Sequence, residues 1–90
     1  MFVALIARDR PDSADVRAAN RPDHLAYLTA NAGQIAQAGP LLVDGAMIGS
    51  LIILDVPDLA AAQGWADNDP YNKAGLFGSV DLIEWKRVIG

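Results

Sequence analysis

The chain has 90 residues, enough for one hydrophobic core but not for a separate catalytic domain, so we expect a single domain over residues 1–90. Its net charge of −4 and isoelectric point near 4.5 disfavour contact with phosphate backbones, which excludes nucleic acid as an expected partner. The chain has no cysteine and a single histidine, His24, so we expect neither a disulfide framework nor a metal site.

The apolar content is high for so short a chain, with 52% hydrophobic residues and a mean hydropathy of +0.20. We therefore expect some apolar surface to contact a second subunit. No apolar stretch has the length of a membrane span, and the run at residues 2–7 suits a buried strand better than a signal peptide. These features predict a cytoplasmic protein with no membrane partner.

The first half of the chain predicts a strand, a helix and a second, short strand. Residues 2–7 form an uninterrupted apolar run, as in a central strand covered on both faces. Residues 9–19 are polar and predict a loop, with a helical turn as an open alternative at its end. Asn20 is a suitable cap for a helix with Pro22 in its first turn. The helix should end at Gly39 and Pro40, before a strand at residues 41–43. Its inward stripe consists of His24, Leu25, Leu28, Ala32, Ile35 and Ala36.

The second half predicts a strand, a helix and a final edge strand. A loop over residues 44–49 should precede a second apolar strand at residues 50–56. Asp58 is a suitable cap for a helix that must end near Asp69, because the following proline disfavours helical backbone. A loop over residues 71–78 then leads to a strand at residues 80–88.

This βαββαβ order predicts a ferredoxin-like α+β fold, with a four-stranded antiparallel sheet in the order 4-1-3-2 and both helices on one face. The two most apolar strands would then be central, and their second face would need a cover that the chain does not supply. We therefore expect a homodimer in which two sheets pack face to face.

His24, Asp69 and Ser50 are the candidate catalytic residues, because the predicted topology brings them to the same end of the domain. A carboxylate bound to one ring nitrogen would orient the imidazole for general base catalysis, and Ser50 could donate a hydrogen bond. The structural alternatives are a buried hydrogen-bonded histidine, a helix stop at Asp69 and a strand-entry serine at Ser50.

Arg8, Arg21 and Tyr71 are the candidate substrate-binding residues. Either arginine could hold an anionic substrate at this end of the domain, and Tyr71 could form a wall of the pocket. Their structural alternatives are solvated surface arginines and a packed loop tyrosine.

Four short segments, in order along nearly the whole chain, resemble the YciI-like (YCII-related domain) family. They are RPDHLAYL at 21–28, AGPL at 38–41, GS at 49–50, and ADNDPY at 66–71 with AG at 74–75. The resemblance implies a dimeric α/β-barrel-type assembly in which His24 and Asp69 form a catalytic dyad. The loop at residues 44–48 is short where other members can carry insertions, so the pocket rim is expected to differ.

Some members of that family are linked to dehydrochlorination of chlorinated hydroxyquinols, and many have no assigned substrate. The resemblance therefore implies a small cofactor-independent enzyme, lyase-like or isomerase-like, that acts on a small organic molecule of aromatic or anionic character. The alternative is a non-catalytic binding or regulatory module, whose pocket holds a small molecule and which uses His24 only for a hydrogen bond.

Overall fold

A computed structural model describes all 90 residues as one four-stranded antiparallel sheet with two main helices. The sheet order is β2-β3-β1-β4, which confirms the predicted order and the ferredoxin-like α+β fold. A single 3-10 turn, Ala32–Gln34, lies between α1 and β2. The elements in chain order are β1 (Phe2–Asp9), α1 (Ala14–Ala30), β2 (Ile35–Val43), β3 (Ala46–Asp55), α2 (Leu59–Asn68), α3 (Pro70–Lys73) and β4 (Phe77–Trp85).

The core lies between the helices and one face of the sheet. Because side chains alternate across a strand, Val3, Leu5 and Ala7 of β1 all point toward the helices. Val3 is paired with Leu54 and Leu5 with Ile52, so the two central strands together form the floor of the core. α2 covers this floor with Trp65 and two alanines.

The opposite face of the sheet is apolar and no element of the chain covers it. Ile6 pairs with Leu51 across the central strands, and Ile83 of β4 lies on the same face. Leu51 and Ile83 are 39% and 55% exposed. We call this surface, formed by Ala4, Ile6, Leu51, Ile53 and Ile83, the open face. Its apolar character explains why the central strands show no polar alternation in the sequence.

The predicted start of the first helix was wrong by about two turns. α1 begins at Ala14, so Pro22 lies inside the helix and Asn20 is not its cap. The side-chain Nδ2 of Asn20 instead donates to the carbonyl oxygen of Val16. Helical bonding is already established upstream of Pro22, since the Arg17 amide donates to the Ser13 carbonyl. The proline removes one backbone donor from a helix that is anchored on both sides of it.

The end of that helix was also predicted wrongly. α1 ends at Ala30, and Gly39 with Pro40 lies within β2 instead of forming a helix stop. Proline is tolerated here because β2 is an edge strand, with one side free of the hydrogen-bond ladder. Ile35 and Ala36, expected on the helix, therefore belong to the strand.

β2 and β3 form a tight hairpin where a longer loop was predicted. Asp44 and Gly45 have positive φ values of 50° and 81°, typical of the two-residue turn that matches the twist of paired strands. β3 therefore begins at Ala46, four residues before the predicted Ser50. β4 begins at Phe77, three residues before its predicted start.

The second helix agrees closely with the prediction. Asp58 caps α2 by accepting a hydrogen bond from the Ala61 amide at 2.8 Å, and α2 ends at Asn68. The predicted loop after it contains the short helix α3, which Pro70 opens. None of the helices combines the length and apolar character needed to cross a bilayer. The cytoplasmic location stays a prediction.

The absence of a side chain at Gly49 allows the central strands β1 and β3 to approach each other closely. A Cβ atom at this position would clash with the backbone carbonyl oxygen of Ala7, whereas one at Gly64 of α2 would meet open space. We expect Gly49→Ala to lower the free energy of unfolding by about 1–3 kcal/mol, as overpacking does. Gly64→Ala should raise it by about 0.5–1 kcal/mol. Urea unfolding at one protein concentration measures both, and equal effects would contradict the close approach.

Candidate active site

A pocket of about 140 Å³ lies between α1, β2, β3 and α3. It is on the helix side of the sheet, at the end where β1 leads into α1. Its floor is apolar and its polar groups come from α1, Ser50 and Tyr71. The lining residues are Arg17, Arg21, His24, Leu25, Leu28, Ala38, Gly39, Pro40, Ser50, Ile52 and Tyr71.

α1 contributes one stripe of side chains to this pocket. Arg17, Arg21, His24 and Leu28 follow one another at spacings of four, three and four residues, which places them on one face of a helix. The helix thus presents two arginines and the histidine to the same cavity. His24 is buried, as the sequence predicted.

His24 and Asp69 form a buried pair at the inner end of the pocket. Nδ1 of the imidazole lies 2.8 Å from Oδ1 of the carboxylate, and the two side chains are 8% and 1% exposed. The same Oδ1 accepts a hydrogen bond from the Tyr71 amide at 3.0 Å, so Asp69 also caps α3. This cap fixes the carboxylate before any ligand arrives.

The pairing has a direct consequence for the imidazole. A carboxylate only accepts hydrogen bonds, so Nδ1 of His24 is the donor and the neutral ring has no proton on Nε2. Nε2 has no hydrogen-bond partner in the protein. It is therefore free to accept a proton from a molecule in the pocket. Oδ2 of Asp69 is enclosed without a protein partner, which leaves its charge available to stabilise an imidazolium.

Tyr71 holds the imidazole ring in place. The two rings are stacked, with centroids 3.9 Å apart and an interplanar angle of 16°. Burial raises the pKa of Tyr71 above its usual value, although the charges of Arg17 and Arg21 oppose the shift. Tyr71 is therefore a neutral phenol at physiological pH.

Arg17 is a pocket residue that the sequence prediction missed. Its Nε and Nη2 atoms donate to the two carboxylate oxygens of Asp9 at 2.7 and 2.9 Å, and Nη2 also lies 3.3 Å from Oγ of Ser50. Burial lowers the pKa of Arg17, but the hydrogen bonds and charge of Asp9 raise it overall. A spacing of seven residues would place Arg17 and His24 on one face of a helix. The predicted loop over residues 9–19 puts Arg17 outside the helix and so hides this relation.

Of the other predicted residues, Ser50 and Arg21 line the pocket and Arg8 does not. Ser50 lines the pocket, as does Arg21, whose Nη1 lies 3.0 Å from the Met47 sulfur. Arg8 does not line it, because alternation along β1 turns Asp9 toward the helices and Arg8 toward the open face. There Arg8 lies 3.5 Å from Asp81. No group of three or more His, Cys, Asp or Glu side chains is placed to hold a metal ion.

The comparisons with known proteins agree in pointing to one family. The model of the YCII-related domain matches residues 1–86. Protein YciI of Escherichia coli O6:H1 is 37% identical over 97 residues, covering 98% of this chain and 99% of the relative. An uncharacterized protein of Haemophilus influenzae is 32% identical with the same coverage.

One solved structure is similar over nearly the whole chain. It is 5-chloro-2-hydroxyhydroquinone dehydrochlorinase (TftG) from Burkholderia phenoliruptrix AC1100, in complex with 2,5-dihydroxybenzoquinone. The TM-score is 0.90 at 35% sequence identity, with 96% of this chain and 94% of that chain covered. The fold described above is thus shared with a protein that binds a small single-ring molecule.

The two tyrosines around Asp69 predict a loss of stability at high pH. Burial raises the pKa of both Tyr27 and Tyr71 above 10.0, and the Asp69 charge adds to the shift. The folded state therefore retains phenol protons that the unfolded chain loses, so the free energy of unfolding should fall as pH rises through about 10. Urea midpoints measured between about pH 8 and about pH 11 should decline less steeply in Tyr71→Phe and in Tyr27→Phe. An unchanged decline in both variants would refute this origin.

Proposed function

The chain belongs to the family of YCII-related domains, and we propose that it is a small-molecule enzyme in which His24 and Asp69 act as an acid–base dyad. The observation that carries the proposal is the buried 2.8 Å pair, with the second imidazole nitrogen unpaired in the wall of a pocket. Nε2 is unpaired but not enclosed, so a molecule in the pocket can reach it, as general base catalysis requires.

The geometry suits proton transfer. Nε2 of His24 would take a proton from the substrate, while the Asp69 carboxylate stabilises the resulting imidazolium through Nδ1. In a lyase-like reaction the electron pair left behind expels a leaving group, and in an isomerase-like reaction the proton returns at another atom. Neither step requires a cofactor. The dehydrochlorinase of similar structure supports the lyase-like form for this chain.

The size and lining of the pocket support a single-ring substrate. Its volume of about 140 Å³ is close to that of a cavity of about 150 Å³ that holds benzene. Leu28, Ile52 and Pro40 offer apolar contacts to a ring, and Ser50 offers a hydroxyl group to its substituents. The 2,5-dihydroxybenzoquinone bound by the similar structure is a ring of this size.

We also propose that the protein is a homodimer in which two open faces pack together. The open face is apolar at the centre of the sheet, with the Arg8–Asp81 ion pair beside it, and the exposed Leu51 and Ile83 would be buried by a second copy. A twofold contact of this kind brings the same patch of both subunits together. The high apolar content of the chain supports the same assembly.

The dyad can be tested with the compound named for the similar enzyme. We expect the protein to release chloride from 5-chloro-2-hydroxyhydroquinone faster than the protein-free solution does. His24→Gln should lower this rate by about 10²- to 10⁴-fold, the usual contribution of an acid–base group. Asp69→Asn should also lower it, while its amide oxygen still caps α3. Asp67→Asn is the matched control, because Asp67 is an exposed carboxylate on α2, and should leave the rate unchanged.

Full turnover in both dyad variants would refute the dyad. Binding without product, for this compound and for a panel of single-ring hydroxyquinols, would instead favour the alternative of a non-catalytic binding module. Isothermal titration with 2,5-dihydroxybenzoquinone measures that binding directly.

Substitution of two leucines of similar exposure tests the proposed dimer. Leu51 on the open face is 39% exposed and Leu59 at the start of α2 is 46% exposed. We expect Leu51→Glu to shift the mass measured by light scattering from twice 9.5 kDa toward 9.5 kDa, because it would bury a charge between the sheets. Leu59→Glu should remain dimeric. A monomeric wild-type protein at micromolar concentration would contradict the proposal.

A further inference from the structure

Arg17 has one donor group that the protein does not use. Two nitrogens of its guanidinium donate to Asp9, and one of these also lies near Ser50, but Nη1 forms no hydrogen bond to the protein. The side chain is only 7% exposed, yet it lines the pocket. Nη1 retains some exposure, and because Arg17 lines the pocket we infer that this atom faces the cavity.

Ser50 adds a second donor at the same place. Its Oγ accepts from Nη2 of Arg17 at 3.3 Å, which leaves its hydroxyl proton free for another acceptor. Ser50 is itself buried, at 3% exposure. The wall of the pocket thus offers a guanidinium N–H and a hydroxyl side by side. Tyr71 packs against the same guanidinium, whose central carbon lies 4.7 Å from the centroid of its ring.

The charges around the pocket favour a negative ligand. Asp9 neutralises Arg17, whereas Arg21 has no acidic partner within 4.0 Å and its hydrogen bond is to the Met47 sulfur. Asp69 is paired with His24. The lining of the cavity itself includes two arginines and no carboxylate, with Asp9 and Asp69 behind it, although the whole chain carries a net charge of −4. In so small and apolar a space, a charge-assisted hydrogen bond is about twice as strong as a neutral one.

We propose that Arg17 and Ser50 form an oxyanion-binding site, which selects planar single-ring molecules bearing an ionised ring oxygen or carboxylate. The anionic oxygen binds to Nη1 of Arg17 and to the Ser50 hydroxyl, and the ring lies over the apolar floor toward Nε2 of His24. The inference rests on the proposed function in one respect, that this pocket takes a small molecule. It deepens that function by naming the substrate class.

Asp9 acts in two opposite ways on this site. Its carboxylate holds the guanidinium in a fixed bidentate geometry, and its charge weakens the attraction of Arg17 for an anion. A purely structural Arg17–Asp9 pair would give only a loss of stability when either partner is changed. An oxyanion site predicts that neutralising Asp9 strengthens anion binding.

The test uses benzoate and benzamide, which have nearly the same shape and differ in charge. We expect the wild-type protein to bind benzoate about 10- to 100-fold more tightly than benzamide in isothermal titration. Because His24 is the only histidine, its ring signals in NMR report whether benzoate occupies this pocket. Those signals should shift and saturate with the same affinity.

Three variants separate the site from a structural role. Asp9→Asn should tighten benzoate binding even as it lowers stability. The double variant Asp9→Asn with Arg17→Gln removes both buried charges, so it avoids leaving one unpaired, and should abolish the preference for benzoate over benzamide. Arg10→Gln, a change at an exposed arginine, is the matched control and should have no effect.

Each outcome has a clear reading. Equal affinity of the wild-type protein for benzoate and benzamide would overturn the inference, as would weaker benzoate binding in Asp9→Asn or an unchanged preference in the double variant. The charge preference should persist in His24→Gln. If it persists there and no substrate is ever turned over, the dyad mechanism fails while the oxyanion site stands. Turnover without any charge preference would instead support the dyad mechanism and refute the oxyanion site.

Discussion

The buried ion pair between Arg17 and Asp9 determines which face of α1 is turned toward the pocket. It ties the first turn of α1 to the last residue of β1, with both side chains less than a tenth exposed. A helix anchored at Arg17 has no freedom to rotate, so Arg21 and His24, four and seven residues later, must face the same side. Removing one partner of such a buried pair generally costs about 3–5 kcal/mol, because the other charge is left uncompensated.

Asp69 provides the second constraint, from the other side of the pocket. The Asp-Pro sequence ends α2, because a residue before proline avoids helical backbone, and opens α3 with proline at its first position. The carboxylate that caps this new turn is the one that contacts His24. The same cap brings Tyr71 against the imidazole ring. One dipeptide thus positions the carboxylate, the histidine ring and one wall of the cavity.

The central strands, α2 and the sheet order could be predicted because local signals and tertiary packing agree there. An apolar run between turn residues has few alternatives, and Asp58 is an effective cap in the structure as in the sequence. The bounds of α1 and β2 could not be predicted, because the local signals there were misleading. Pro22 resembles a helix start and Gly39-Pro40 a helix stop, but tertiary contacts keep the first inside a helix and the second in an edge strand.

The candidate site shows the same division. His24 and Asp69 were predicted together because the predicted topology placed both at one end of the domain and the family resemblance implied the same pair, although His24 lies in the middle of α1 and not at its start. Arg17 was missed because its role depends on the true start of α1, and Asp9 because its partner was missing. The error at Pro22 therefore removed half of the pocket's charged groups from the prediction.

The sheet separates the two surfaces on which the proposals depend. Along β3, Ser50 faces the pocket and Leu51 the open face, and along β1, Asp9 faces the pocket while Arg8 does not. Because neighbouring residues alternate, one strand can carry a polar site on one side and an apolar contact surface on the other. Packing a second sheet on the open face would hold β1 and β3 rigid without entering the pocket. Asp9 of β1 and Ser50 of β3, which hold the oxyanion site, would then lie on strands that the dimer contact makes more rigid.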